Sequence, residues 1–400
     1  MRVLVLTHRL PYAPNRGDRL RAYHTLRGLA TRADVELVSL VHDADEAAHV
    51  DDVRAFVPHV TALPVPKARN YAGAAIQILS RTPLTHCLLD SPDLVRTLRE
   101  IVGRRPPDVV LAYCSGMARF ALAPPLDRIP LVLDFVDIDS RKWRDLADAS
   151  TPPLAWIYRR EAATLGAFEA RAARHAAAAI VVNEREAAVA RELAPGANIH
   201  VVQNGVEVEH LRPQHAPEPS SRVVFCGVMN YAPNDHGMQW FVREVWPLVR
   251  SQRADAQLSI VGPDPTQSLR SACAGDPSIE ITGRVDDVRP WLWRSAVGVA
   301  PLRVARGVQN KALEAIAAGL PIVITQAVAG GLPTVGDAAA VADGPHDFAR
   351  HVSAALALPP ATRRARAATA DLGRLNWANT LSPLWILVEC ASMKSRAPTT

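Results

Sequence analysis

Short apolar runs alternate with helical stretches along nearly the whole chain, and this alternation limits the fold more than any other feature. Residues 2–6, 35–41, 109–112, 131–135, 180–182 and 199–202 read as strands, and 20–30 and 94–102 as helices between them. A second set of strands follows at 223–225, 258–261, 279–281, 297–301 and 322–324. Strands that are apolar throughout and separated by helices imply a parallel sheet covered on both faces. The class is therefore α/β, with two Rossmann-like doubly wound domains facing across a cleft as the simplest architecture. The polar, proline-rich stretch 210–221 is the linker candidate, which puts the first domain at 1–205 and the second at 206–374. Asn204-Gly205 is expected to supply a turn with positive φ at the join.

Within the second set, residues 299–325 read V-A-P-L-R-V-A-R-G-V-Q-N-K-A-L-E-A-I-A-A-G-L-P-I-V-I-T. The order is strand, glycine turn, helix, glycine stop, strand. Gly307 frees the turn, Asn310 is a candidate cap, and residues 311–318 are good helix formers. Gly319 and Pro321 end the helix. Amides at such a helix start attract anions, phosphate above all. Lys311 and Glu314 are three apart and share a face. A lysine there can meet phosphate, and a carboxylate can accept bonds from sugar hydroxyls. The segment suits a nucleoside diphosphate.

Composition narrows the partners. The net charge of +5 and the 5% aromatic content argue against a nucleic-acid surface. Five scattered cysteines without a C-x-x-C pair point to a reducing compartment and no structural zinc. The first ten residues turn polar too soon for a signal peptide, and no run has the roughly 18 apolar residues of a spanning helix. The expected location is cytoplasmic. Arg141, Lys142, Arg144, Arg159, Arg160, Arg171 and Arg174, near Trp143, Trp156 and Tyr158, suggest a peripheral contact with the inner face of a membrane. The alternative is a solvated helix face.

Four further segments stand at predicted strand ends. The loop T-H-R-L-P-Y-A-P-N-R-G-D after the first strand holds Gly17, with Asp18 as a helix cap; one glycine is too few for a dinucleotide fingerprint. Asp137-Ile138-Asp139 follows residues 131–135. It is too weak a D-x-D to assign a metal, so no metal ligand is named. Asp137 is a candidate for orienting the acceptor or sugar, against the plainer alternative that Asp139 or Ser140 caps the next helix. C-G-V-M-N-Y-A-P-N opens the second domain, and T-G-R-V-D-D follows residues 279–281.

Residues 314–323, E-A-I-A-A-G-L-P-I-V, closely resemble the nucleotide-sugar segment of the family 4 type of retaining glycosyltransferases, which have the GT-B fold. The Asn-Tyr-Ala-Pro-Asn and Arg-Gly-Val-Gln-Asn-Lys variants resemble those of bacterial exopolysaccharide-associated sugar transferases. The resemblance implies a metal-independent transferase of the hexosyltransferase type. It would use a nucleoside diphosphate sugar as donor substrate, with no other cofactor, and a glycan or lipid-linked glycan as acceptor. By carry-over, Glu314 would bond ribose, and Val308, Gln309, Asn310 and Lys311 would hold the diphosphate. Gly17 would face it from the other domain, and Gly283, Arg284 and Val285 would cradle the base. Arg306 stands where the family has a sugar-side glutamate, which makes it a candidate for phosphate or an acidic sugar. The arginine and lysine that the family places after the glycine of the Cys226-Gly227 loop are absent, so Lys311, Arg303, Arg306 or Arg19 would substitute. The resemblance also implies that the last helix, about 375–391, crosses back onto the first domain and leaves 392–400 as a disordered tail. Rival readings are an epimerase or phosphorylase on the same scaffold, or a non-catalytic nucleotide- or glycan-binding subunit.

Overall fold

The computed structural model describes residues 1–12, 17–148, 150–305, 308–332 and 334–396. The chain forms two compact units, Met1–Gln203 with Thr380–Thr400, and Asn204–Asn379.

The first unit is built on seven strands: β1 (Arg2–Thr7), β2 (Asp34–Val41), β3 (His59–Pro64), β4 (Val109–Tyr113), β5 (Leu131–Val136), β6 (Ala178–Val181) and β7 (Ile199–Val201). They lie in the order β3-β2-β1-β4-β5-β6-β7, and every pairing is parallel. The second unit has six: β8 (Arg222–Cys226), β9 (Gln257–Val261), β10 (Ile279–Gly283), β11 (Val297–Ala300), β12 (Ile322–Ile324) and β13 (Ala339–Val341). Their order is β10-β9-β8-β11-β12-β13, again all parallel. Each sheet thus reverses its strand order once, at β1/β4 and at β8/β11. The central strands are largely apolar because helices cover both faces. Leu4, Leu6, Val110, Leu133 and Ala179 anchor one core, and Val223, Phe225, Ile260, Val297 and Ile322 the other.

Two strands had no clear signal in the sequence. His59–Pro64 is an edge strand with exposed ends, and Ala339–Val341 is a three-residue edge strand containing two alanines. The first is interrupted by Thr61, and the second is too short and too rich in alanine to stand out.

A buried ion pair ties the first helix to its sheet. Arg21, in the Gly17–Ala30 helix, donates through Nε to Asp134 Oδ2 on β5 at 2.8 Å and through Nη1 to the carbonyl of Val202 at 2.8 Å. Both side chains are buried, at 1% and 0% exposure.

The units join two residues before the expected boundary at 205. The division falls at Gln203–Asn204, and the proline-rich stretch that follows belongs to the second unit, where Leu211 is buried and its carbonyl accepts from Trp293 Nε1 at 2.8 Å. Gly205 does not have positive φ. It is needed for space, because a Cβ there would lie 2.6 Å from the backbone of Trp377. At the C-terminus, helix Ser382–Arg396 packs on β4, β5 and β6. Its Trp385 lies where a Cβ on Gly28 would reach, and under the Arg32 guanidinium at 5.4 Å. The helix runs through Ser392, where the tail was expected to begin; 397–400 lie outside the described residues.

Candidate active site

In doubly wound sheets, ligands sit beyond the carboxyl ends of the strands where the strand order reverses. In the second unit that place is defined by the loops after β8 and β11. Backbone bonds lace the neighbouring turns together. Gly227 N donates to Val261 O at 2.9 Å, Met229 N to Pro263 O at 2.9 Å, and Gly262 N to Gly283 O at 3.1 Å. Gly262 has φ 139, and a Cβ on it would come within 1.9 Å of the Gly227 carbonyl oxygen. Only glycine lets the two turns meet. Nothing in the sequence analysis pointed to this glycine. Its signal was the pair Val261-Gly262 directly after a strand.

Beyond β11 the helix runs Asn310–Ala317. Asn310 is its first residue and not its cap. Gln309 holds the cap position and makes no side-chain cap bond. The cap side chain therefore leaves the first amides of the helix open. Asn310 Oδ1 is buried and finds no hydrogen-bond partner among the described residues. The stop is as expected: Gly319 has φ 80 and Leu320 N donates back to Ala315 O at 3.0 Å.

Lys311 turns from this helix towards the β8 loop. Its Nζ donates to Asn234 Oδ1 at 3.1 Å and to Gln309 Oε1 at 3.0 Å, and lies 5.8 Å from the Phe225 ring centroid. Asn234 is itself fixed by donating to Val228 O at 2.8 Å. Burial lowers the Lys311 ammonium to about 8, against the opposing pull of Glu314 and Cys226. Burial likewise raises Glu314, with Lys311 pulling the other way. The ammonium thus binds two neutral amide oxygens, and a third N–H has no partner among the described residues. Such a cation keeps its charge for an incoming anion. Asn234, Phe225 and Cys226, which the sequence analysis gave no charge-bearing role, form its surroundings.

Gly283 has φ 68 and opens the turn after β10; Arg284 is exposed, and Val285 and Val308 pack at the edge of the core. Gly283, Gly262, Gly227, Asn234 and Lys311 are linked contact by contact. Arg306 and Gly307 lie outside the described residues.

In the first unit, Gly17 begins the first helix, while residues 13–16 before it and the Asp18 side chain are not described. Arg19 is no substitute for a phosphate clamp. It is buried, pairs with Glu46 at 3.2 Å and donates to Tyr12 Oη at 2.5 Å. Asp137 is half-buried just past β5, after Val136, whose φ of 67 is strained for a β-branched residue. Asp137 also helps to raise the neighbouring Glu186 carboxyl, after burial, which dominates. The helix that starts at Asp139 is not capped by Asp139 or Ser140. Glu186 Oε2 accepts from Ile138 N at 2.9 Å, and Glu169 accepts from Ser140 N at 3.3 Å. Asp139 instead pairs with Lys142 at 3.1 Å. The two capping glutamates come from distant helices and look in sequence like ordinary helix-surface charges.

Glu169 yields a pH prediction. Burial, and then Asp139, raise its carboxyl to about 8. The protonated form therefore contributes stability that is fully present below about 4.5 and is lost as pH rises through about 8. Glu169→Gln should gain on wild type across that window, by up to about 1.4 kcal/mol per pH unit. Denaturation midpoints across this pH range test it; parallel curves for the two proteins would contradict it.

Two family models match the chain. The first, described as glycosyl transferase 4-like domain, matches residues 16–205, and the second, described as glycosyl transferases group 1, matches residues 220–357. Several solved structures share the fold. Sucrose-phosphate synthase from Thermosynechococcus elongatus superposes with a TM-score of 0.70 at 15% identity, covering 99% of this chain and 100% of that one. Anabaena HepE in complex with UDP gives 0.69 at 13% identity, covering 98% and 100%. The UDP-forming α,α-trehalose-phosphate synthase from Burkholderia vietnamiensis gives 0.66 at 14% identity, covering 99% and 98%. No curated protein sequence matches significantly. The two parallel sheets, together with these likenesses, establish the expected GT-B fold.

Proposed function

From a glycosyltransferase of the family 4 type, matched by its glycosyl transferase 4-like and group 1 models, we propose a retaining enzyme of polysaccharide biosynthesis. It moves a sugar from a nucleoside diphosphate to a hydroxyl of a glycan or lipid-linked glycan. The supporting observation is the pair Lys311 and Glu314 at an uncapped helix start beside the β8/β11 reversal. Lys311 and the amides of Val308, Gln309 and Asn310 bind the diphosphate, and Glu314 accepts from the ribose hydroxyls. In the reaction the bond between sugar C1 and the β-phosphate oxygen breaks, and a bond from C1 to the acceptor oxygen forms on the same face. The acceptor's proton leaves with the nucleoside diphosphate. Lys311 stabilises the charge that grows on that leaving group, which is electrostatic catalysis needing no metal. Gly283, Arg284 and Val285 border the base, and Asp137, beside a strained residue, positions sugar or acceptor. For Gly17 in the first unit and Arg306 in the second, the roles are those that the resemblance implies. The enzyme works in the cytoplasm, at the inner face of the membrane.

The test is turnover. UDP-, GDP- and ADP-sugars are incubated with lipid-linked acceptors, and the product anomer is read by NMR. One donor should release its nucleoside diphosphate only when acceptor is present, with the anomeric configuration kept. Free epimerised sugar without acceptor would favour the epimerase, and nucleotide binding without turnover would favour a non-catalytic subunit. HepE was solved with UDP, so UDP-sugars come first.

A further inference from the structure

Helix Lys67–Ile76, with the 3-10 turn Gln77–Leu79, has its polarity inside out. Its buried positions are Asn70 and Ala74. Its exposed positions include Ala68, Tyr71, Ala72, Ala75, Ile76 and Leu79, which recur at the three- and four-residue spacing of one helix face. Ile76 is 80% exposed and Leu79 85%. A helix of a globular protein ordinarily turns such a stripe to its core, and large exposed apolar patches mark interaction sites.

The face is held in place. Asn70 Nδ2 donates to the carbonyls of Leu88 and Asp90, at 3.2 and 2.8 Å. Arg160 Nη2 donates to the carbonyls of Gln77, Ser80 and Thr82 at 3.0, 2.7 and 2.6 Å. Arg160 is thereby spent on structure, as are Lys142 with Asp139 and Arg171 over Phe168. One turn before Arg160 on its helix, Trp156 is exposed, and so is Leu154 at the helix start. Exposed apolar side chains thus stand on a second element, which Arg160 ties to the first.

Charge selects the occupant. From Val53 to Leu89 the chain has no acidic residue, while Lys67, Arg69 and Arg81 flank the ridge. Lys67 and Arg81 are exposed, and Arg69 lies 3.5 Å from Asp90. An apolar stripe with a cationic fringe fits the headgroup boundary of an anionic bilayer.

We propose that Tyr71, Ile76 and Leu79, with Leu154 and Trp156, form a docking surface for an anionic membrane, with Lys67, Arg69 and Arg81 against the lipid headgroups. This extends the proposed transfer to a lipid-linked acceptor, yet vesicle binding is read with neither donor nor acceptor present. Failure of one is therefore distinguishable from failure of the other.

The experiment is co-sedimentation of the full chain with phosphatidylcholine vesicles, with and without roughly one-third phosphatidylglycerol. Wild type should pellet with the anionic vesicles only, and less as salt rises. Ile76→Asp/Leu79→Asp should weaken that binding at least about tenfold, with an unchanged circular dichroism spectrum. Ile386→Asp, at an exposed apolar position on another helix, should bind as wild type does. The proposal is overturned if wild type ignores anionic vesicles, if it binds both kinds equally, or if the double variant binds undiminished. It is also overturned if the double variant merely splits a dimer of this chain that binds no vesicles.

Discussion

Lys311→Ala should lower kcat for sugar transfer by about 10² to 10³, the usual loss on removing one preorganised donor from a developing oxyanion. The effect is large because, among the described residues, no second cation is bonded into the same place. The β8 loop supplies Asn234, a neutral partner, and Arg19 is committed to Glu46 and Tyr12 in the other unit. The fold should survive, since Asn234 keeps its bond to Val228 O and Gln309 stays buried. A pH signature accompanies the loss. The lysine stands near 8 in the unliganded protein, so diphosphate affinity should fall as pH climbs through about 8 and the ammonium loses its proton. Binding the anion pulls that proton back, so the fall shifts to higher pH in the complex. Calorimetric affinities above and below pH 8, in wild type and Lys311→Ala, check both effects; a variant with the wild-type pH profile would contradict them.

Asp134→Ala should destabilise the first unit by roughly 3–5 kcal/mol. It removes the carboxylate that neutralises the Arg21 guanidinium, buried at 1% exposure. For a unit of this size the loss amounts to a drop on the order of 10 °C in its melting transition. The asymmetry is the sharper test. Replacing both partners, as Arg21→Met/Asp134→Leu, removes two desolvation costs together with the attraction, and should restore most of the stability. Thermal unfolding of the three proteins decides it. Equal losses in single and double variants would mean that the pair does more than neutralise itself.

What the residues disclosed depended on whether the determinant was local. Residues 310–324 were legible because each signal acts within a few positions: the periodic helix, the glycine at its end, and the apolar strand that follows. Only the cap was misplaced, by one residue, since Asn310 opens the helix and does not precede it. Signals that depend on distant contacts were hidden. Gly262 gains its meaning from the Gly227 carbonyl, Gly205 from the Trp377 backbone, and Glu169 from Ser140. In the Arg-rich segment at 141–174 the charge was visible, but not the partners that hold Lys142 at Asp139 and Arg160 at three carbonyls. The exposed ridge at Ile76 and Leu79 was not read from the sequence at all.

In the proposed mechanism one helix start reads both ends of a nucleotide, ribose through Glu314 and diphosphate through Lys311. The most direct measurement is calorimetric titration of the preferred nucleoside diphosphate and its 2′,3′-dideoxy analogue into wild type, Lys311→Ala and Glu314→Ala. The missing hydroxyls should weaken binding to wild type and to Lys311→Ala alike, by about tenfold or more, and cost nothing further in Glu314→Ala. Binding that both variants leave unchanged, or an equal penalty for the dideoxy analogue in all three proteins, would contradict it.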